Sequence, residues 1–259
     1  MTARNVVVHR DGTVLARAVA ARLVTRLVDV QSARGTASIG LTGGGIGIAV
    51  LRELNATPAR DAIDWRALDV WWGDERFLPA GHSDRNSTQA VDALLSHVPV
   101  DPARVHPMPG PDGIDGPDPE AAADRYASWL ASATTPEDHG PVPSLDVLLL
   151  GVGPDGHTAS LFPGQPALYD DRPVVAVHGA PKPPPTRLTL TFDALNAARE
   201  TWVVVAGADK AGAVAMALGG AGQVQVPAAG IHARQRTLWL LDAAAASQVP
   251  AGLTRIASP

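Results

Sequence analysis

The chain has 259 residues, of which 46% are hydrophobic and 18% charged, and it contains no cysteine. This composition is typical of a globular protein with a sizeable core, and no run of about 18 apolar residues is present to span a membrane. The net charge of −5 and the lack of a basic stripe argue against nucleic-acid binding, although a few arginines in one cleft could still bind an anion. The absence of cysteine excludes disulfides and thiolate chemistry. Since the first residues also lack the order of a signal peptide, we expect a cytoplasmic protein.

Strand-like and helix-like segments alternate along the chain. In order, we predict a strand at 5–9, a helix at 14–30, a strand at 37–41, a helix ending near 54, a strand at 68–72, helices at 88–97 and 120–133, strands at 145–151, 174–177 and 202–206, a helix at 210–218 and a strand at 237–241. This alternation predicts an α/β fold with a layered, mostly parallel sheet.

Two stretches rich in Pro, Gly and Asp, at 108–119 and 134–144, resemble linkers. Neither side of them carries a complete set of strands, so we predict one domain over residues 1–259. A division into two domains is the alternative.

The run Gly43, Gly44 and Gly45 lies between a predicted strand and a predicted helix. Without Cβ atoms, the backbone can approach a phosphate and direct N–H groups at it, and the helix N-terminus adds partial positive charge. A tight turn without a ligand could use the same residues. The run is therefore a candidate phosphate-binding loop.

Three charged residues, Asp74, Glu75 and Arg76, follow the predicted strand at 68–72. Charges at the carboxyl end of a buried strand are costly unless they are paired or functional. Arg76 could bind an anion or form a structural ion pair with Asp74 or Glu75. The next segment, 83–86, precedes a helix, where Asp84 or Asn86 could simply act as the N-cap.

The apolar segment 145–152 predicts a buried strand that ends in glycines and then presents Asp155 and His157. In parallel α/β proteins, active sites form at the carboxyl ends of such strands. His157 can accept a proton near neutral pH, and Asp155 can orient it. We therefore expect a catalytic loop that leads into a helix; the alternative is that Asp155 caps the helix and His157 is its buried partner.

Three prolines separate Lys182 from Thr186 and Arg187. They predict a rigid, extended backbone that holds two cations in fixed places, although a stiff surface loop with solvated charges is the alternative. Lys182 and Lys210 are the only lysines in an arginine-rich chain, which suggests a specific role for a retained lysine. His232 is interpreted as structural, and no histidine has ligand partners at the spacing of a metal site.

Several of these motifs resemble, in order over nearly the whole chain, those of the 6-phosphogluconolactonase family. They are Leu41-Thr-Gly-Gly, Trp72-Gly-Asp-Glu-Arg76, Arg85-Asn86 with Gln89-Ala90, Gly151-Val-Gly-Pro-Asp-Gly-His-Thr-Ala-Ser-Leu-Phe-Pro163, Ala180-Pro-Lys-Pro-Pro-Pro-Thr-Arg-Leu-Thr-Leu190 and Val226-Pro-Ala-Ala229.

The resemblance implies a fold shared with glucosamine-6-phosphate deaminases: a Rossmann-like layered sheet with helices on both faces and a small appended β portion. It implies hydrolysis of 6-phosphoglucono-δ-lactone to 6-phosphogluconate in the oxidative pentose phosphate pathway. By position, His157 matches the family's proposed base, with Asp155 beside it. Arg76, Lys182 and Arg187 match residues that line its substrate site.

One departure concerns the first loop, which in the family usually reads Ser-Gly-Gly-Ser-Thr-Pro. This chain has Thr-Gly-Gly-Gly-Ile-Gly from Thr42, so the hydroxyl group after the second glycine is missing at Gly45. Phosphate contacts there would have to come from backbone N–H groups.

Hydrolysis of a lactone, which is an ester, needs an activated water and stabilisation of the developing oxyanion. We assign His157 as the general base, Asp155 as the residue that orients it, and Arg76 to the substrate or the oxyanion. Substrate and phosphate binding are assigned to Gly43, Gly44, Gly45, Arg85, Lys182 and Arg187. This reaction needs no metal, other cofactor or covalent nucleophile, and none is expected. Ser160 in particular lacks the Gly-x-Ser-x-Gly elbow that surrounds a nucleophilic serine. The expected partner is the sugar-phosphate lactone alone, with no nucleic acid and no membrane, and a monomer is favoured.

Two alternatives stay open. A deaminase or isomerase on the same fold would resemble Asp-Gly-His-Ile-Ala-Phe-Asn-Glu, whereas this chain has Thr158-Ala-Ser-Leu-Phe162 after His157, which favours the lactonase. A non-catalytic sugar-phosphate sensor would normally need an output module, and the sequence shows no helix-turn-helix and no basic arm.

Overall fold

The computed structural model describes residues 4–138 and 140–256. Its main sheet is built from β1 (Arg4–His9), β2 (Ala37–Leu41), β3 (Leu68–Trp72), β5 (Val147–Leu150), β8 (Glu200–Val205), β9 (Arg236–Asp242) and β10 (Thr254–Ile256). The strand order is β10-β1-β9-β8-β5-β2-β3, and every neighbouring pair is parallel. The predicted mostly parallel sheet is confirmed.

A second, smaller sheet contains β4 (Asp74–Arg76), β6 (Val174–Val177) and β7 (Arg187–Leu190). Its order is β4-β7-β6 and both pairings are antiparallel. This sheet is the small appended β portion that the resemblance implied. One residue, Gly73, separates β4 from β3, so the small sheet begins directly at the carboxyl edge of the main one.

Helices cover both faces of the main sheet. They are α1 (Gly12–Arg34), α2 (Gly44–Ala56), α3 (Asn86–Ala93), α4 (Pro119–Ser132), α5 (Phe192–Asn196) and α6 (Ala211–Leu218). Alternate strand residues point to opposite faces, so in β5 Val147 and Leu149 pack with α1–α3, whereas Leu148 and Leu150 pack with α4–α6. Among the described residues, no helix is both long and apolar enough to cross a bilayer.

Two sequence-based expectations about helices are wrong. The helix expected at 88–97 is the shorter α3, followed by a separate single turn at Leu95–His97. The loop with Asp155 and His157 does not lead into a helix, since the next helical turn is a 3₁₀ turn at Pro166–Tyr169. Positive φ angles at Gly156, Ala159 and Gly164, followed by Pro166, are incompatible with a helix over this segment.

Candidate active site

The carboxyl ends of β2, β5 and β8 open into a cleft of about 860 Å³. The chain leaves these strands at Thr42, Gly151 and Ala206, and the small sheet closes one side through β4 and β7. Because parallel strands end at the same edge of a sheet, loops far apart in sequence converge there. The polar side chains that line the cleft include Thr42, Asp74, Arg76, Asn86, His157, Lys182, Arg187, Asp209 and Lys210.

His157 and Asp155 form a direct hydrogen-bonded pair at this cleft. The Nδ1 atom of the imidazole contacts Oδ1 of Asp155, and the backbone N–H of His157 donates to the same oxygen at 3.4 Å. Burial opposes ionisation of Asp155, but the hydrogen bond and charge of His157, together with Lys182, outweigh it and lower the pKa of Asp155 to about 2. Asp155 is therefore a carboxylate at neutral pH, not the cap of a helix.

An ionised Asp155 favours the proton on Nδ1 of His157, which leaves Nε2 as the basic atom. No described residue donates a hydrogen bond to Nε2, and His157 lines the cleft. The pair can therefore accept a proton from a water molecule bound in the cleft.

Gly153 makes room for this pair. A Cβ atom built on it would lie 2.0 Å from Cε1 of His157 and 2.6 Å from Oδ1 of Asp155. Any side chain at this position would displace the imidazole or the carboxylate. Sequence reasoning missed Gly153, although it lies in the glycine-rich exit from β5.

The glycine loop forms the N-terminus of α2, as predicted. Gly43 is the N-cap and no side chain caps it, and Gly44 adopts a φ of +81°. A Cβ on Gly43 would lie 1.9 Å from Oδ1 of Asn86, whereas a Cβ on Gly45 would meet nothing within 4 Å. Gly43 and Gly44 are thus required by the local geometry, but Gly45 is not. The uncapped first turn directs N–H groups toward the cleft, where they can bind an anion.

Arg76 and Arg187 lie directly opposite each other in the β4–β7 pair. Burial lowers the pKa of Arg187; Asp74 opposes this shift, and the charge of Arg76 adds to it. Nη2 of Arg187 donates to the carbonyls of Lys182 (3.0 Å) and Pro183 (3.3 Å), and Nε donates to Pro184. Arg187 therefore lines the cleft and also holds the proline loop against it.

Lys182 reaches the same site from that loop. Its Nζ atom lies 4.0 Å from Oδ1 of Asp155, and its side chain is 46% exposed. A partly exposed ammonium beside the His157–Asp155 pair can contact a ligand without losing a buried ion pair. The structure therefore brings Lys182, Arg187 and the His157–Asp155 pair together.

The structure does not bring Arg85 into the cleft. Its buried guanidinium donates to the carbonyls of Leu78 and Met108, and Nε lies 3.6 Å from Oε2 of Glu75. Glu75 in turn accepts the backbone N–H groups of Asn86 (2.6 Å) and Ser87 (2.9 Å) at the start of α3. Burial raises the pKa of Glu75, while Arg85 and the donors at the helix start lower it. Arg85 is thus engaged in holding the α3 N-terminus, and its predicted contact with substrate has no geometric support.

The sequence reasoning also did not assign Asp74, Asp209 and Lys210 to the site, although all three line the cleft. Asp74 is buried and accepts hydrogen bonds from Ser160 Oγ at 2.7 Å and from Asn86 Nδ2 at 3.3 Å. Asp209 and Lys210 form an ion pair of 2.8 Å just beyond β8. The scarcity of lysine could have identified Lys210, because both lysines of the chain line the cleft.

Within the described ranges, no group of three or more His, Asp or Glu side chains lies close enough together to hold a metal ion. Ser160, the serine considered above as a nucleophile, is fully buried, and its hydroxyl group donates a hydrogen bond to Asp74. The cleft thus combines the imidazole of His157 with the cations of Arg76, Arg187 and the two lysines.

This combination of a parallel α/β sheet, an uncapped glycine loop and a His–Asp pair defines a class of sugar-phosphate enzymes. Residues 10–239 match the family model described as glucosamine-6-phosphate isomerases/6-phosphogluconolactonase, and the chain belongs to this family.

Two curated relatives and one solved structure are similar to this chain over nearly its whole length. The chain is 61% identical to a 6-phosphogluconolactonase of Streptomyces coelicolor over 95% of both chains. It is 49% identical to a 6-phosphogluconolactonase of Mycobacterium tuberculosis over 93% of this chain and 96% of that one. The structure of 6-phosphogluconolactonase from Trypanosoma brucei superimposes with a TM-score of 0.82 at 28% identity, covering 96% of this chain and 100% of that chain.

Proposed function

We propose that this chain hydrolyses 6-phosphoglucono-δ-lactone to 6-phosphogluconate. The observation that carries the proposal is the His157–Asp155 pair, which shares one cleft with the cations of Arg76, Lys182 and Arg187. A lactone needs an activated water, and a phosphate needs local positive charge. The high identity to curated lactonases over nearly the whole chain supports the same conclusion.

In this mechanism, Nε2 of His157 takes a proton from water as the water oxygen attacks the lactone carbonyl carbon. Asp155 stabilises the imidazolium that forms, because its carboxylate holds the opposite ring nitrogen. Arg76 stabilises the oxyanion of the tetrahedral intermediate or positions the substrate. Breakage of the bond between the carbonyl carbon and the ring oxygen then opens the lactone. The ring oxygen takes up a proton to become a hydroxyl group, and loss of the proton from the imidazolium balances this uptake and restores the neutral base.

The phosphate is bound away from the ester. The N–H groups of the first turn of α2, with Lys182 and Arg187, supply the contacts in the proposed arrangement, and Lys210 adds a fourth cation at the cleft. The chain carries a net charge of −5, so a phosphate is attracted by these local cations and not by the overall charge.

Turnover tests this function directly. Purified protein should accelerate opening of freshly prepared 6-phosphogluconolactone, measured in a pH-stat after subtraction of the spontaneous rate. It should release no ammonia from glucosamine 6-phosphate. Ammonia release at comparable efficiency would instead identify a deaminase, and binding without any turnover would identify a sensor.

Three finer expectations are part of the same proposal: a single domain over residues 1–259, a monomer, and action in the cytoplasm. The absence of cysteine is compatible with a reducing compartment. Light scattering coupled to size-exclusion chromatography tests the monomer, one cooperative unfolding transition tests the single domain, and cell fractionation tests the location.

A further inference from the structure

Phe162 contacts two groups of the cleft at once. Its ring centroid lies 4.6 Å from that of His157, with the two planes inclined by 33°. The guanidinium carbon of Arg187 lies 5.6 Å from the same centroid, within the range of a cation–π contact. Phe162 itself is 1% exposed, so it does not face the cleft and can influence substrate only through these two neighbours.

We propose that Phe162 is a positioning residue that aligns the general base with the phosphate-binding guanidinium; this inference rests on the proposed function. The imidazole is held at Nδ1 by Asp155. The ring of Phe162 packs against it with a centroid distance of 4.6 Å, and this contact limits rotation of the imidazole about that hydrogen bond. On its other contact, the ring supports a guanidinium that is buried and lies opposite a second cation, Arg76.

The consequence is a link between proton transfer and phosphate binding. Catalytic groups work only when they are held close to productive geometry, and a displaced base loses much of its effect. Because one rigid ring touches both groups, its loss should lower kcat through His157 and raise KM through Arg187. Substitution of an apolar residue that only fills the core would not produce this combined change in kcat and KM.

The test uses Phe162→Leu with Phe192→Leu as the matched control. Phe192 is also a buried phenylalanine of the same hydrophobic cluster, at 8% exposure, and it has no ring contact with His157 or Arg187 among the described residues. For the phosphorylated lactone, we expect Phe162→Leu to lower kcat and raise KM, each about threefold to tenfold, the scale of one lost cation–π or aromatic contact. Phe192→Leu should leave both constants near wild type.

Two further measurements separate positioning from general destabilisation. In the ligand-free protein, the NMR signal of the His157 ring proton on Cε1 should shift in Phe162→Leu, because the neighbouring ring current is lost, and should not shift in Phe192→Leu. In an Arg187→Ala background, the KM effect of Phe162→Leu should largely disappear, since the two changes act through one contact.

If Phe162→Leu does not fold, Phe162→Met, which keeps the volume without the ring, is expected to give the same results. The proposal is overturned if folded Phe162 variants match Phe192→Leu in the His157 signal and in both kinetic constants. The NMR measurement needs no turnover and reports only the contact between the two rings. A shifted signal in a protein without lactonase activity would therefore reject the proposed function, whereas an active protein whose kcat and KM are unchanged by Phe162→Leu would reject the positioning role.

Discussion

Arg76 and Arg187 are directly opposed residues on the antiparallel strands β4 and β7. Like charges in this relation repel each other, and burial of Arg187 strengthens the effect by reducing its access to water. An anion between or beside the two guanidinium groups relieves the repulsion. We therefore expect the two guanidinium groups to form part of an anion-binding site, as in the proposed function.

Binding of an anion should stabilise the protein measurably. We expect Tm to rise with the concentration of 6-phosphogluconate, reaching about 2.7 kcal/mol of added stability at 100 times Kd. Arg76→Gln should weaken this response, because it removes one of the two charges. Arg172→Gln is the control, since Arg172 pairs with Asp170 at the surface outside the cleft. An unchanged response in Arg76→Gln would contradict the binding role.

His157→Ala should lower kcat by about 100-fold or more, which is the usual scale for loss of a general base. KM should change less, because the phosphate contacts persist. Stopped-flow or pH-stat rates corrected for spontaneous opening measure the effect. His232→Ala serves as the control, since His232 is exposed. Among the described residues, its ring hydrogen-bonds to the Gly230 carbonyl and its backbone N–H donates to Asn196. Near-normal kcat in folded His157→Ala would remove His157 from this role.

Lys182→Ala should raise KM for the phosphorylated lactone by about tenfold or more, because a charge-assisted contact contributes roughly 1.5–3 kcal/mol. Turnover of unphosphorylated glucono-δ-lactone should be weak in the wild type and barely altered in the variant. High salt should raise the KM of the wild type more than that of the variant, because it screens the contact between Lys182 and the phosphate. Arg187→Ala should show the same rise in KM and also a lower Tm, because Arg187 holds three carbonyls of the proline loop. Equal slowing of both lactones would contradict a phosphate contact.

Gly153→Ala and Gly45→Ala form a matched pair of substitutions. The methyl group at 153 would overlap the His157 ring, whereas the methyl group at 45 would enter open space. We expect Gly153→Ala to lower kcat at least tenfold, as a displaced base would, and Gly45→Ala to leave kcat within about twofold of the wild type. Equal kcat values in the two folded variants would show that the imidazole does not depend on Gly153.

Asp155 makes stability depend on pH at the acidic end. Its pKa of about 2 in the folded protein is below its ordinary value of 3.8. Its contribution to stability is therefore fully present above about pH 4 and is lost as the pH falls toward 2. Asp155→Asn should therefore lose less stability than the wild type between pH 4 and pH 2. Urea unfolding at several pH values measures the difference, and identical slopes in the two proteins would contradict the pairing with His157.

Local patterns along the chain were sufficient to predict the main sheet and the proximity of His157 and Asp155. The alternation of strands and helices depends on residue spacing within short segments, and Asp155 and His157 are only two positions apart after a buried strand. The glycine loop at Gly43 is recognisable for the same reason, since a strand, a turn and a helix follow one another without interruption. Strand burial, turns and helix starts all depend on residues that are close together in the sequence, so a local pattern is enough to predict them.

Other features were decided by contacts between distant segments. The strands β4 and β7 were not predicted from the sequence. They have three and four residues and pair with each other across the fold. That pairing places Arg76 opposite Arg187. Arg85, like Arg76, follows an acidic residue in the sequence, yet its side chain turns inward because Glu75 and two carbonyls surround it. Residue types alone determined which chemistry was available, whereas the direction of each side chain depended on packing partners that only the tertiary structure brings together.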